Sequence, residues 1–175
     1  MTKEIIQVAG FSNSGKTTLV EKLVAAASEE AVRVGTIKHH GHGGELTSLD
    51  EGKDSWKHRQ AGAIVSAAVS KGTLQLNVAK DNLWEPDELL ALYENFPIDV
   101  VIIEGFKATP FPKVVILRDF SDLALLKTLD NIFCVISWFQ ISPKEVDDDI
   151  CYFQLDDEAN YIDFLLKKLK GQDYE

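Results

Sequence analysis

At 175 residues, 45% hydrophobic and 26% charged, the sequence has the length and apolar content of one globular domain spanning 1–175. A formal net charge of −10, from 28 acidic against 18 basic residues, argues against a general nucleic-acid binder, yet leaves room for a nucleotide in a local positive pocket. No apolar run approaches the roughly 18 residues of a membrane span, and the first strand begins too near Met1 for a signal peptide, so a cytoplasmic location is expected.

In chain order, Ile5-Ile6-Gln7-Val8-Ala9 reads as a buried strand over 5–9. Gly10-Phe11-Ser12-Asn13-Ser14-Gly15-Lys16-Thr17 follows it, a complete G-x-x-x-x-G-K-[ST] phosphate loop. Apolar residues at 19, 20, 23, 24 and 27 then give one helix face over 16–30. Further strands are expected at 32–37, 63–69, 73–78, 100–103, 113–117 and 132–136, and helices near 54–61, at 86–95 and at 158–170. Pro86 suits a first helical turn and Pro97 lies just beyond the same helix. Ser70-Lys71-Gly72 between two strands reads as a hairpin turn. The fold class is therefore α/β: a P-loop NTPase with a mostly parallel sheet, helices on both faces and an antiparallel hairpin portion. Acidic clusters at 145–149 and 156–158 read as a solvated loop and a helix start. Cys134 and Cys151 lack C-x-x-C spacing and are expected to be reduced thiols.

Strand, glycine-bounded loop and helix form an anion cradle, because backbone N–H groups converge and the helix end adds about half a positive charge. Gly10, Ser12, Asn13, Ser14, Gly15, Lys16, Thr17 and Thr18 are the nucleotide-binding candidates, with the Lys16 ammonium on the β- and γ-phosphates. The Thr17 hydroxyl is a candidate Mg²⁺ ligand. So is Glu104, at the carboxyl end of the apolar run Val100–Ile103; read without the loop upstream, it would be an ordinary surface glutamate. Lys38 should emerge on the ligand side of the sheet and neutralise a phosphate. His39, His40 and His42, in a glycine-rich loop, suit an anionic substrate better than a stored metal. Asp54 reads either as a helix cap or as a residue orienting the attacking water or metal-bound water. Lys57, His58 and Arg59 read as a basic cluster for a phosphorylated partner or as a plain helix surface.

Gly10 to Leu19, Ile37-Lys38-His39, Gly52-Lys53-Asp54-Ser55 with Ala61-Gly62-Ala63, Val101 to Lys107, and Lys113 to Arg118 occur in one order over the first two thirds of the chain. In this combination the sequence resembles the molybdopterin-guanine dinucleotide biosynthesis adapter family, usually called MobB. The resemblance implies a P-loop fold shared with dethiobiotin synthetase and nickel-insertion GTPases, a homodimer, GTP with Mg²⁺ as cofactors, and weak hydrolysis. It also implies a place beside the MobA-type nucleotidyltransferase that joins GMP to molybdopterin, with molybdopterin itself as a ligand. Carried onto this chain, it makes Lys16, Asp54 and Glu104 the catalytic residues, Thr17, Glu104 and Asp54 the Mg²⁺ set, and Lys53, with Asp54, part of the catalytic or switch region; Lys53 joins the histidines as a candidate contact for the anionic substrate. No N-K-x-D element is present, and the late strand runs into Ser137-Trp138-Phe139-Gln140, so preference for GTP is implied by the resemblance alone. A metallochaperone GTPase using the histidines, and a small-molecule kinase or ligase of the same fold, are the rival readings.

Overall fold

Alternation along a strand sends successive side chains to opposite faces, and the central strands are apolar at most positions, so both faces of their sheet must be covered. The computed structural model describes residues 3–41, 46–106 and 109–172. They form two units, one from residues 1–41 and 86–175, the other from 42–85.

The first unit is built on a six-stranded sheet in the order β2-β5-β1-β6-β7-β8, all parallel. Its strands are β1 (Glu4–Ala9), β2 (Val34–Lys38), β5 (Val100–Glu104), β6 (Lys113–Leu117), β7 (Ile132–Ser137) and β8 (Cys151–Gln154). The alternation is plain in β5, where Val100 and Ile102 enter one core and Val101 and Ile103 another. On the first face α1 (Lys16–Glu29) and α5 (Glu158–Leu169) pack Leu19, Leu23, Phe164 and Leu165 against Ile6, Val8 and Ile116. On the other, α3 (Pro86–Tyr93) covers β2 and β5, and α4 (Ala124–Thr128) covers Val115, Leu117 and Val135. Leu19 and Leu23 are among the buried residues of α1, as the sequence spacing requires. Both thiols are free: Cys134 is buried, and its exclusion from water pushes its pKa well up.

The second unit holds α2 (Asp54–Gln60) and an antiparallel pair, β3 (Val65–Ser70) and β4 (Thr73–Val78), which is a sheet of its own. Arg59 anchors it. Its two terminal nitrogens take both oxygens of Asp50 at 2.7 and 2.5 Å and also reach the hydroxyls of Ser66 and Ser48. Among the described residues no helix is long and apolar enough to cross a membrane.

Arg33 and Asp99 fasten the amino ends of β2 and β5. The Asp99 carboxylate accepts from the Arg33 guanidinium at 2.5 and 2.9 Å and from its backbone N–H at 2.9 Å. These bonds hold its pKa down at about 2. A carboxylate whose pKa is lower folded than unfolded contributes stability above the unfolded value of about 4, and that contribution is lost as pH falls toward the folded value. Asp50, held below the usual range by Arg59, Ser55 and Ser48, acts in the same direction. Thermal melts should therefore fall between pH of about 4 and 2, and Asp99→Asn should make that slope shallower, more visibly at low salt. An unchanged slope in Asp99→Asn would show that the pair contributes nothing.

Candidate functional site

The phosphate loop leaves β1 at Gly10 and enters α1 at Gly15. A Cβ on Gly10 would stand 2.6 Å from the Ser14 Oγ and 2.9 Å from the Ile116 carbonyl oxygen, so only glycine lets the loop close this tightly. Gly15, the N-cap of α1, has φ of 104°, a left-handed conformation that side chains resist. No acidic residue lies in the first turn of α1 and no side chain caps its N-terminus. Ser14 is fully buried, and among the described residues its Oγ is a buried side-chain oxygen with no hydrogen-bond partner. An unpartnered hydroxyl inside a glycine-bounded turn at a helix N-terminus fits a phosphate. The Lys16 Nζ curls back over the loop and donates to the Phe11 carbonyl at 2.6 Å.

Strand register brings the second half of the site to this loop. Lys38 ends β2 opposite Glu104, and Val8 of β1 lies opposite Glu104 on the other side. Glu104 is 7% exposed, and its Oε1 accepts from the Thr17 hydroxyl at 2.9 Å. The Lys38 Nζ closes the triangle, 3.0 Å from the same carboxylate oxygen and 2.9 Å from the Thr17 Oγ1. A hydroxyl and a carboxylate beside the cradle, with a cation already stabilised between them, are hard oxygen donors of the kind Mg²⁺ takes, so the donor set fits that ion.

The fully buried Gln7 is the polar interruption in β1. Its Nε2 donates to the carbonyls of Gly105 and Phe106, each at 2.5 Å, and its Oε1 accepts from the Thr109 hydroxyl at 2.6 Å. It fixes the turn that carries Glu104, a role its place in an apolar strand could have signalled. Arg118, just past β6, and Trp138, just past β7, brace the loop from the other flank. The Arg118 guanidinium donates to the Asn13 carbonyl and the Trp138 indole N–H to the Ser14 carbonyl, both at 2.9 Å.

His39 lies against Phe106 with ring centroids 4.4 Å apart, and its backbone N–H bonds the Glu104 carbonyl at 2.8 Å. His40 is exposed. His42 lies outside the described residues, and among those described no group of three His, Cys, Asp or Glu is gathered for a metal. Lys53 and Asp54 belong to the second unit. Lys53, not Asp54, is the N-cap of α2; Asp54 is the first helical residue, and its exposed carboxylate pairs with Lys57 at 3.0 Å. Arg59 does not join a basic cluster with Lys57 and His58, because its guanidinium is committed to Asp50.

A family model described as molybdopterin guanine dinucleotide synthesis protein B matches residues 5–138. A relative from Bacillus subtilis, described as a probable molybdopterin-guanine dinucleotide biosynthesis adapter protein, is 43% identical over 96% of this chain and 94% of its own length. The adapter protein of that name from Haemophilus influenzae is 35% identical over 82% of this chain and 78% of its own. The crystal structure of Bacillus subtilis MobB superposes with a TM-score of 0.81 at 39% identity, over 97% of this chain and 99% of that one. The hydrogenase maturation factor HypB from Archaeoglobus fulgidus, at 13% identity and a TM-score of 0.50 over 93% of this chain and 88% of its own, shares the fold alone.

Proposed function

The chain belongs to the molybdopterin guanine dinucleotide synthesis protein B family, and on that premise we propose that it is a GTP-binding adapter with slow, Mg²⁺-dependent GTPase activity. It would assist the MobA-type nucleotidyltransferase that attaches GMP to molybdopterin, in the cytoplasm and as a homodimer. The observation that carries this reading is the convergence of Lys16, Thr17, Lys38 and Glu104 on one glycine-bounded cradle.

In that cradle the loop amides and the helix end hold the β-phosphate, Lys16 and Lys38 neutralise the outer phosphates, and the Ser14 hydroxyl gains the acceptor it lacks. Thr17 and Glu104 would hold Mg²⁺, which when bound offsets charge growing on the β–γ bridge oxygen. The parts taken by Lys53 and Asp54 in hydrolysis rest on the family resemblance. The chain has three arginines, and each is engaged: Arg33 by Asp99, Arg59 by Asp50 and Arg118 by the loop carbonyl of Asn13. An arginine finger is worth about 10³–10⁵ in rate, so turnover by the isolated protein should be slow until a partner supplies that charge.

A homodimer would bury apolar surface, and the second unit offers Leu46, Leu49, Val69 and Leu74, all exposed. A metallochaperone role would need a ligand cluster, and the described histidines form none. Calorimetric titration of GTP, ATP and molybdopterin, each with and without Mg²⁺, tests the reading. The expected result is GTP binding that weakens by about tenfold or more without Mg²⁺, the loss of one charge-assisted contact. No binding of either triphosphate would overturn it.

A further inference from the structure

Resting on the reading of the cradle as a triphosphate site, we propose that Trp138, backed by Arg118, is the platform on which the nucleobase stacks. The sheet order puts β5 and β2 on one side of β1 and β6 and β7 on the other. Lys38 and Glu104, which mark the outer phosphates and the metal, stand on the β5 side. A linear triphosphate lying in the cradle with its terminal phosphate there directs its nucleoside to the opposite flank, toward the ends of β6 and β7. Two strand spacings, about 10 Å, separate β7 from β1.

A flat, half-open surface stands on that flank. Trp138 is 50% exposed although its indole N–H is tied to the Ser14 carbonyl, so the ring is oriented while part of it stays in solvent. The Arg118 guanidinium lies 5.5 Å from the ring centroid, within cation–π range, and is itself anchored on the Asn13 carbonyl. Such an oriented aromatic beside a planar cation offers a base a face to stack on with little ordering left to do.

The Asp119 carboxylate caps its own turn through Ser121, and Asp122 accepts the Arg118 backbone N–H at 2.7 Å. Stacking uses the π-face that every base has, so this platform supplies affinity for a purine rather than a choice between guanine and adenine.

The test is calorimetry with Mg²⁺ on GTP, ATP and inorganic tripolyphosphate, using the wild type, Trp138→Ala and Trp138→Phe. Trp138→Ala should weaken GTP and ATP alike, by about tenfold to a hundredfold, the range of one base–aromatic stack. Tripolyphosphate, which has no base, should lose only what the missing bond to Ser14 costs, the same in Trp138→Ala as in Trp138→Phe and well short of the loss for the nucleotides in Trp138→Ala. Trp138→Phe loses the bond to Ser14 but keeps a ring, and should restore most of the nucleotide affinity. Equal losses for nucleotides and tripolyphosphate would reduce Trp138 to a loop brace and overturn the platform. So would unchanged nucleotide affinity in Trp138→Ala, or a loss confined to GTP. A wild type that binds tripolyphosphate but neither nucleotide sinks the platform as well; one that binds none of the three removes the triphosphate reading with it.

Discussion

Lys16→Ala is expected to weaken triphosphate binding by about thirtyfold to several thousandfold, measured by calorimetry with Mg²⁺ present. The figure follows from truncating one partner of a desolvated charge pair, which costs about 2–5 kcal/mol, at 1.4 kcal/mol per tenfold. Lys16 opens α1, where alanine is at least as good a helix former, and its ammonium donates back to the Phe11 carbonyl rather than bridging to another strand at that bond. The variant should therefore fold, with a melt close to that of the wild type. A Lys16→Ala protein that binds and hydrolyses GTP as the wild type does would mean that the cradle is not the site.

Glu104→Gln is the second large effect, and it separates metal from phosphate. Glutamine has nearly the same shape and can still accept from the Thr17 hydroxyl, but it removes the negative charge that faces Lys38. The improvement in GTP affinity that Mg²⁺ brings should then collapse from about tenfold to near unity, because a neutral amide is a far poorer ligand for a hard cation. Affinity without Mg²⁺ should hold or rise, since a carboxylate beside the phosphates repels them. If Mg²⁺ strengthens binding to the same degree in Glu104→Gln, the carboxylate has no part in holding it.

How far the site could be read beforehand follows from how local its determinants are. The phosphate loop is a contiguous stretch whose glycines, lysine and threonine fix both backbone shape and chemistry, and Glu104 is flagged by the apolar strand before it. The pairing of Lys38 with Glu104 depends on the register of β2 against β5, which spacing along the chain cannot supply. Arg118 and Trp138 come from different strands and meet only through the parallel order of β6 and β7. Arg59 misled because its neighbours in sequence are basic while its partner, Asp50, lies in the preceding loop. The strand β8 and the helix α4 escaped because four and five residues are too few to display a period. The parallel sheet with helices on both faces was legible from the alternation of apolar runs with helical patterns; the separateness of the β3–β4 sheet was not.

Gln7 gives the molecule a mechanical property that no single-site account contains. Three residues before the cradle begins, one buried amide grips Gly105, Phe106 and Thr109, so the floor of the cradle and the arm that bears the carboxylate are bolted to the same length of backbone. A displacement of β1 at the cradle would be passed through that amide to the arm, and a displacement of the arm back to the cradle.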